Sequence, residues 1–325
     1  VVTSTPRIEP HQWFAIVNPL AGNGCGLTDF PRISRLLREH QIHCEAVFSE
    51  HKAHAVELTV EAVRRGYRRI IVIGGDGTLH EVVNGLFLQQ EVDPAEVLLA
   101  VIAVGSGNDW VRMFGIPLNY KDAIRAIHEE NSFLQDVGVV TYEESKYRQS
   151  RYMANVAGAG FDAMVVRNYA HLKEKGRGGR WLYRWLVLRS FFGYKSTGIK
   201  VWVDDRLVYN DLLFSLALGI GKYNGGGIQQ LPDAVADDGM FDVSLIRPIH
   251  FWHIIFRFPK LFNGRIYEIR HVLQRRGSRI RIESSPETDV EVDGELLGHS
   301  PLEFSVLRRA IRVVVSREFL DIKQS

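Results

Sequence analysis

The sequence predicts an α/β domain followed by an all-β domain: a three-layer N-terminal unit with a mostly parallel sheet over residues 10–136, then a β-sandwich over residues 137–320. Up to about Asp136, continuous apolar bursts alternate with helical patterns, the signature of strands covered on both faces. Beyond Asp136, short β-rich runs follow one another, many joined by Asp/Gly turns. At 325 residues and 46% hydrophobic content, the chain has enough apolar material for two cores.

In the first half the order is WFAIV, a helical stretch near Leu27 to Glu39, CEAVF, a helix over Ala53 to Arg65, and IIVIG. A helix over Leu79 to Leu88, LLAVIAV and a helix over Asn108 to Phe114 follow. The second half contributes YRQSRYMANVAG, IKVWVDD, LLFSLALGI, MFDVSLI, SRIRIE, TDVEVDGE and AIRVVVS. Helical interruptions are expected around Arg180 to Phe192 and Phe251 to Phe262. No fixed-period repeat or low-complexity linker is visible.

A formal charge of +2 gives no bulk argument for nucleic acid. Cys25 and Cys44 have no zinc-type or disulfide spacing, and are expected as reduced thiols of a cytoplasmic protein. The N-terminal VVTSTPRIEPHQW lacks a leader pattern and no apolar run is long enough to span a membrane, so a soluble or peripheral protein is expected. The twelve histidines show no H-E-x-x-H spacing, and His80 reads as an ordinary helix residue.

The stretch IIVIGGDGTLHEVVNG ends a buried strand in Gly74, Gly75, Asp76, Gly77 and Thr78. In an open parallel sheet, ligands bind beyond the carboxyl ends of strands, where helix N-termini present unpaired N–H groups. The three glycines let a phosphate approach the backbone, Thr78 adds a hydroxyl, and Asp76 sets a carboxylate beside the phosphates. NPLAGNGCG at 18–26 and VGSGNDW at 104–110 lie at equivalent strand ends. Neither the P-loop pattern nor the Rossmann fingerprint fits, so the nucleotide reading rests on GGDGT.

The order N-P-L-A-G from Asn18, G-G-D-G-T from Gly74, G-S-G-N-D from Gly105, N-G-G-G from Asn224, D-D-G-M-F-D from Asp237 and V-D-G-E from Val292 resembles the diacylglycerol kinase catalytic-domain family. That family also includes sphingosine and ceramide kinases and soluble bacterial lipid kinases, and the resemblance runs from about Trp13 to Val315. It implies an NAD kinase- and phosphofructokinase-like first domain, with Asn18, Pro19, Gly22, Ser49, Gly75 to Thr78 and Glu81 lining ATP. Gly105, Ser106 and Asn108 of the third turn would join them. Ala21 stands where the family usually has serine and Asn23 where a lysine is common, leaving charge balance to Mg²⁺ or Arg112. Ser106 replaces the commoner threonine.

Phosphoryl transfer to an alcohol needs an acceptor for the hydroxyl proton. The resemblance implies Glu295 in that role with Asp293 assisting, and Asp76 is a rival base. It also implies a structural Mg²⁺ held by Asp238 and the carbonyls of Val235 and Met240, with Asp109 joined through water. Taken as a hairpin alone, V-D-G-E is only a tight turn.

Residues 177–192 combine arginines with Trp181, Trp185, Phe191 and Phe192. With Trp181 and Trp185 on one helical face and Arg180 and Arg184 beside it, the pattern suits an anionic membrane surface as well as plain packing against the sandwich. Residues 251–262 are a candidate second wall for a lipid. The expected activity is ATP- and Mg²⁺-dependent phosphorylation of diacylglycerol or a sphingoid base at the inner membrane surface, with no nucleic-acid partner and room at a strand edge for a homodimer. NAD kinase and a non-catalytic nucleotide-binding regulator are the alternatives.

Overall fold

The computed structural model describes residues 11–174, 180–250, 252 and 257–324, excepting the side chains at 173, 174, 180, 181, 183, 184, 258 and 324. The chain forms two compact units. One comprises the chain up to Gly105, Phe114–Leu134 and the stretch from Ile311 onward; the other comprises Ser106–Met113 and Gln135–Ala310.

The first unit carries parallel strands β1 (Trp13–Val17), β2 (Cys44–Phe48), β3 (Arg69–Gly74) and β4 (Leu98–Ala103). Their order is β4-β3-β1-β2, and Arg312 and Val313 add a parallel pairing beside β4. Every residue of β1 and β4 is buried, because helices cover both faces of the sheet. Alternate residues Trp13, Ala15, Val17, Ile71, Ile73, Ala100 and Ile102 pack with Ile33, Leu36 and Leu37 of α2 (Phe30–Glu39) and with Ile124 and Ile127 of α6 (Tyr120–Glu129). The opposite face is served by α3 (His54–Arg64) and α4 (Asp76–Leu88). Chain order reverses between β1 and β3, which makes their carboxyl ends the topological switch point of the sheet.

The second unit is antiparallel. One path runs β12 (Val272–Gly277), β11 (Phe241–Ile246), β10 (Ser215–Gly219), β7 (Val156–Gly160), β14 (Asp289–Val292) and β15 (Glu295–Val314). Further along β15, up to Ala310, the partners become β13 (Arg279–Ser285) and β5 (Ser132–Glu144). Strand β13 continues to β8 (Thr197–Val203) and β9 (Arg206–Leu213), and β5 to β6 (Tyr147–Met153). A long strand that changes partners in this way turns the corner between layers of a sandwich.

Helix α7 (Phe161–Glu174) was not expected from the sequence. Phe161, Ala163 and Val165 are buried at every second position, so the opening reads locally as a strand. Gly160, with φ 82°, breaks β7 there and lets the helix begin. The expected helix at 180–192 is present as α8 (Arg180–Phe191). Most of the one expected at 251–262 lies outside the described residues, apart from a short 3-10 turn at Phe258–Leu261.

Gly85 of α4 lies against α3, where an added Cβ would sit 2.6 Å from Thr59 Cβ and 2.8 Å from the Val56 carbonyl. Alanine improves helix propensity by about 1 kcal/mol, but overpacking of a backbone-lined contact costs about 1–3 kcal/mol. Gly85→Ala is therefore expected to lower the thermal unfolding midpoint; a raised midpoint would show that α3 and α4 separate without cost.

Candidate functional site

Three turns at the carboxyl edge of the first unit's sheet are bonded to one another. The Asn18 N–H donates to Ile73 O at 2.9 Å, and Asn18 Nδ2 donates to Thr78 Oγ1 at 2.9 Å. The Gly74 carbonyl accepts from Val104 N at 2.8 Å and from Gly105 N at 3.3 Å. A Cβ on Gly22, whose φ is 60°, would fall 2.2 Å from the Val104 carbonyl, and one on Gly75 would fall 3.0 Å from Gly105 Cα. Close backbone approach thus accounts for glycine at both positions.

Helix α4 opens inside this cluster. Its first intrahelical bond is Leu79 N to Gly75 O at 3.1 Å, so the N–H groups at Gly77 and Thr78 precede the helical ladder and face the end where positive partial charge gathers. Such a terminus suits a phosphate. Asp76 is half-buried at the first helical position. Pro19 and Ser49 are half-buried at the ends of β1 and β2, and Ser49 N donates to Val17 O at 2.8 Å. Glu81 is engaged elsewhere, its carboxylate accepting from Ala53 N at 2.9 Å and Ala55 N at 3.2 Å at the start of α3.

Ser106, Asn108 and Asp109, although continuous with the third turn, belong to the second unit. Asp109 is 4% exposed, and its two oxygens accept from Gly226 N and Gly227 N at 2.7 Å each. Arg112 lies 3.7 Å from the same carboxylate and donates to Gly107 O at 3.2 Å, so its charge is balanced locally.

Asp293 and Gly294 form the two-residue connection of the β14–β15 hairpin, with φ values of 51° and 85°, as a tight turn of this class requires. The Asp293 carboxylate accepts from the N–H groups of Ala154 at 2.9 Å, Asn155 at 2.9 Å and Val156 at 3.2 Å. It is an anchored carboxylate that orients the turn. Glu295, half-buried, is the first residue after the turn.

Of the donors expected to hold a structural Mg²⁺, Asp238 is differently engaged. Asp238 is paired with the Arg276 guanidinium and accepts from Met240 N at 3.0 Å, and Arg276 also reaches Asp242 at 3.1 Å. Val235 and Met240 are exposed. A guanidinium on the only carboxylate of the set does not fit an octahedral cation with ordered oxygen ligands.

On α8, the side chains of Arg180, Trp181 and Arg184 lie outside the described residues. Trp185 is 52% exposed and Phe192 73% exposed, and the Arg189 guanidinium sits 5.4 Å from the Trp185 ring centre. No described helix is long and apolar enough to cross a membrane.

The model of the diacylglycerol kinase catalytic domain matches residues 12–140, and that of the YegS C-terminal NAD kinase beta sandwich-like domain matches residues 155–315. The chain belongs to the diacylglycerol kinase catalytic-domain family. A diacylglycerol kinase of Staphylococcus haemolyticus is 26% identical over 306 residues, covering 94% of this chain and 88% of that protein. A crystal structure of a diacylglycerol kinase from Bacillus anthracis superposes with a TM-score of 0.71 at 22% identity, covering 96% of this chain and 100% of the other. An NAD kinase from Archaeoglobus fulgidus in complex with ATP shares the fold at a TM-score of 0.51 and 13% identity, covering 95% and 96%.

Within this diacylglycerol kinase-family chain, sequence reasoning missed a pair of linked acids, Glu291 buried and Asp162 half-buried. Glu291, 1% exposed, precedes the hairpin turn, and Asp162 opens α7. Burial, then the Asp162 charge, pushes the Glu291 carboxyl up to about 8, and burial pushes Asp162 up to about 6. The signal available was a single acid flanked by apolar residues in each of two segments, GAGFDAMVV and VEV.

Removing the Asp293 carboxylate would strand three buried N–H donors. Asp293→Ala is expected to lower unfolding free energy by about 3 kcal/mol, measured by chemical denaturation. A loss below about 0.5 kcal/mol would mean that water replaces the carboxylate.

Proposed function

We propose that this chain is an ATP-dependent lipid kinase that transfers the γ-phosphate to a hydroxyl of diacylglycerol or a sphingoid base. One observation carries the reading: three interlocked glycine turns at the switch point of the parallel sheet, with the N-terminus of α4 among them. Family membership and relatives named diacylglycerol kinase support the phosphotransferase class.

In this reading the first unit supplies positioning. Backbone N–H groups at the start of α4 take phosphate oxygens, and Thr78, its hydroxyl oriented by Asn18 Nδ2, adds a side-chain contact. The second unit supplies the proton acceptor. The acceptor hydroxyl oxygen bonds to the γ-phosphorus, its proton passes to the Glu295 carboxylate, and the bond to ADP breaks. Asp293, pinned by three N–H groups, fixes the turn from which Glu295 departs. Mg²⁺ accompanying ATP would supply neutralisation of phosphate charge.

The deciding assay incubates the protein with labelled ATP and Mg²⁺ against mixed micelles of diacylglycerol, sphinganine, ceramide or phosphatidylglycerol, with NAD in a separate tube. Phosphate on a lipid is the expected product, whereas label on NAD alone would reject the lipid reading. Glu295→Gln is expected to lower kcat by about 10²- to 10⁴-fold while ATP affinity stays within a factor of about three. Unchanged turnover would remove Glu295 from the mechanism.

We further propose that the exposed Trp185 and Phe192 and the cationic Arg189 meet the lipid surface. Replacing Trp185 and Phe192 together by Ala is expected to weaken binding to anionic vesicles by about tenfold or more, read by vesicle sedimentation. Equal sedimentation would return this face to ordinary solvent exposure.

A further inference from the structure

Glu291 is enclosed in the second unit, yet among the described residues no cationic side chain reaches it. Its Oε2 accepts from Gly294 N at 3.0 Å, inside the turn that connects Asp293 to Glu295. Its Oε1 accepts from Asn224 Nδ2 at 3.3 Å. Asn224 closes the loop containing Gly225, Gly226 and Gly227 through paired bonds with Ile228, at 2.9 and 3.0 Å. The same loop holds Asp109 through Gly226 and Gly227.

The network continues to a second acid. Asn224 Nδ2 also donates to Gln230 Oε1 at 3.2 Å, and Gln230 Nε2 donates to Asp162 Oδ2 at 3.1 Å. Gly158 lies between the two acids: a Cβ there would fall 2.7 Å from Glu291 Oε1 and 2.9 Å from Asp162 Cβ. Among the described residues, no lysine, arginine or histidine forms an ion pair with either. The titratable groups facing Glu291 are Asp162 from α7 and Asp293 from its own hairpin, and both are acids. Two uncompensated carboxylates in one enclosed network resist simultaneous ionisation, so the pair retains one proton.

We propose that Glu291 is a positioning residue of the reaction: protonated in the working enzyme, it bridges the Asp293–Glu295 turn to the loop at Asn224 and sets where the proton acceptor stands. This rests on the lipid-kinase reading of the same turn. The direction of the Glu291 shift agrees with a protonated acid at neutral pH, and Asp162 keeps the negative charge. With its carboxyl raised well above the unfolded value near 4.5, Glu291 contributes most to stability below that pH. The contribution falls as pH rises toward about 8, and above that a second buried charge loads the turn.

Three variants test this: Glu291→Gln, which imitates the protonated acid, Glu291→Ala, which strands the Gly294 and Asn224 donors, and Asp162→Asn, which removes the neighbouring charge. Two readouts are taken from pH 5 to 9.5, the kcat for diacylglycerol in mixed micelles with MgATP and the thermal unfolding midpoint. Wild-type kcat is expected to fall above about pH 8. Glu291→Gln is expected to stay within about threefold of wild type at pH 7 and to lack that fall, Glu291→Ala to lose at least about tenfold in kcat with KM for ATP unchanged, and Asp162→Asn to move the alkaline fall to lower pH.

The direction for Asp162→Asn follows from charge alone: without the neighbouring negative charge the Glu291 carboxyl drops, so the fall is expected at lower pH, and a shift upward counts against the proposal. In the unfolding arm, Glu291→Gln is expected to gain stability relative to wild type between pH 5 and 8 and to hold that gain above. A pH-independent difference, or an alkaline fall identical in wild type and Glu291→Gln, overturns the proposal. Absence of lipid phosphorylation by the wild-type protein rejects the kinase reading instead, and the unfolding arm still decides whether Glu291 carries the proton.

Discussion

The Gly74 carbonyl is the point on which the first unit's functional edge depends. It accepts N–H bonds from Val104 and Gly105, so the turn after β4 is held directly against the turn after β3. Those bonds require the two main chains to come nearer than side chains permit, and Gly22 makes the same demand on the Val104 carbonyl. Asn18 then closes the arrangement by reaching Thr78. Because each turn supports the next, the N–H groups that open α4 are aimed before any ligand arrives, which is the form of preorganisation that phosphate chemistry uses.

The second unit solves a different problem, that of holding loops of a β-rich domain in register over long sequence separations. It does so with carboxylates that accept backbone N–H groups. Asp109 receives Gly226 and Gly227, Asp136 receives Gly239 and Arg309 at 2.6 Å each, and Asp293 receives Ala154, Asn155 and Val156. Charge-assisted bonds to rigid backbone are short and directional, and they leave no long side chain to order. Glu291 and Asp162 stand apart from this pattern because the network joining them consists mainly of side-chain amides.

Much of the parallel sheet was legible because its strands are continuous apolar runs that end in glycine turns, a pattern set by burial on both faces. The hairpin at Asp293–Gly294 was legible for a local reason, since both positions need positive φ. Helix α7 was not, because its first six residues alternate like a strand and the decision for helix comes from Gly160 and from packing on Phe214. Glu291 was hidden for a related reason. Val290 and Val292 are buried on one face of β14 while Glu291 is buried on the other, so alternation gave no sign that the acid faced inward.

Local chemistry in the sequence alone determined the two-part architecture, the positions of the glycine turns and the candidates for nucleotide contact and proton transfer, because strand burial and turn dihedrals depend on neighbouring residues. Tertiary structure alone decided what each acid does. Asp109 and Asp293 became anchors, Glu81 a partner of the α3 terminus, Asp238 a partner of Arg276, and Glu291 a buried acid linked to Asp162. The partners lie as many as 139 positions away along the chain. A carboxylate's charge state and role follow from the donors, charges and solvent around it, and folding is what brings those together.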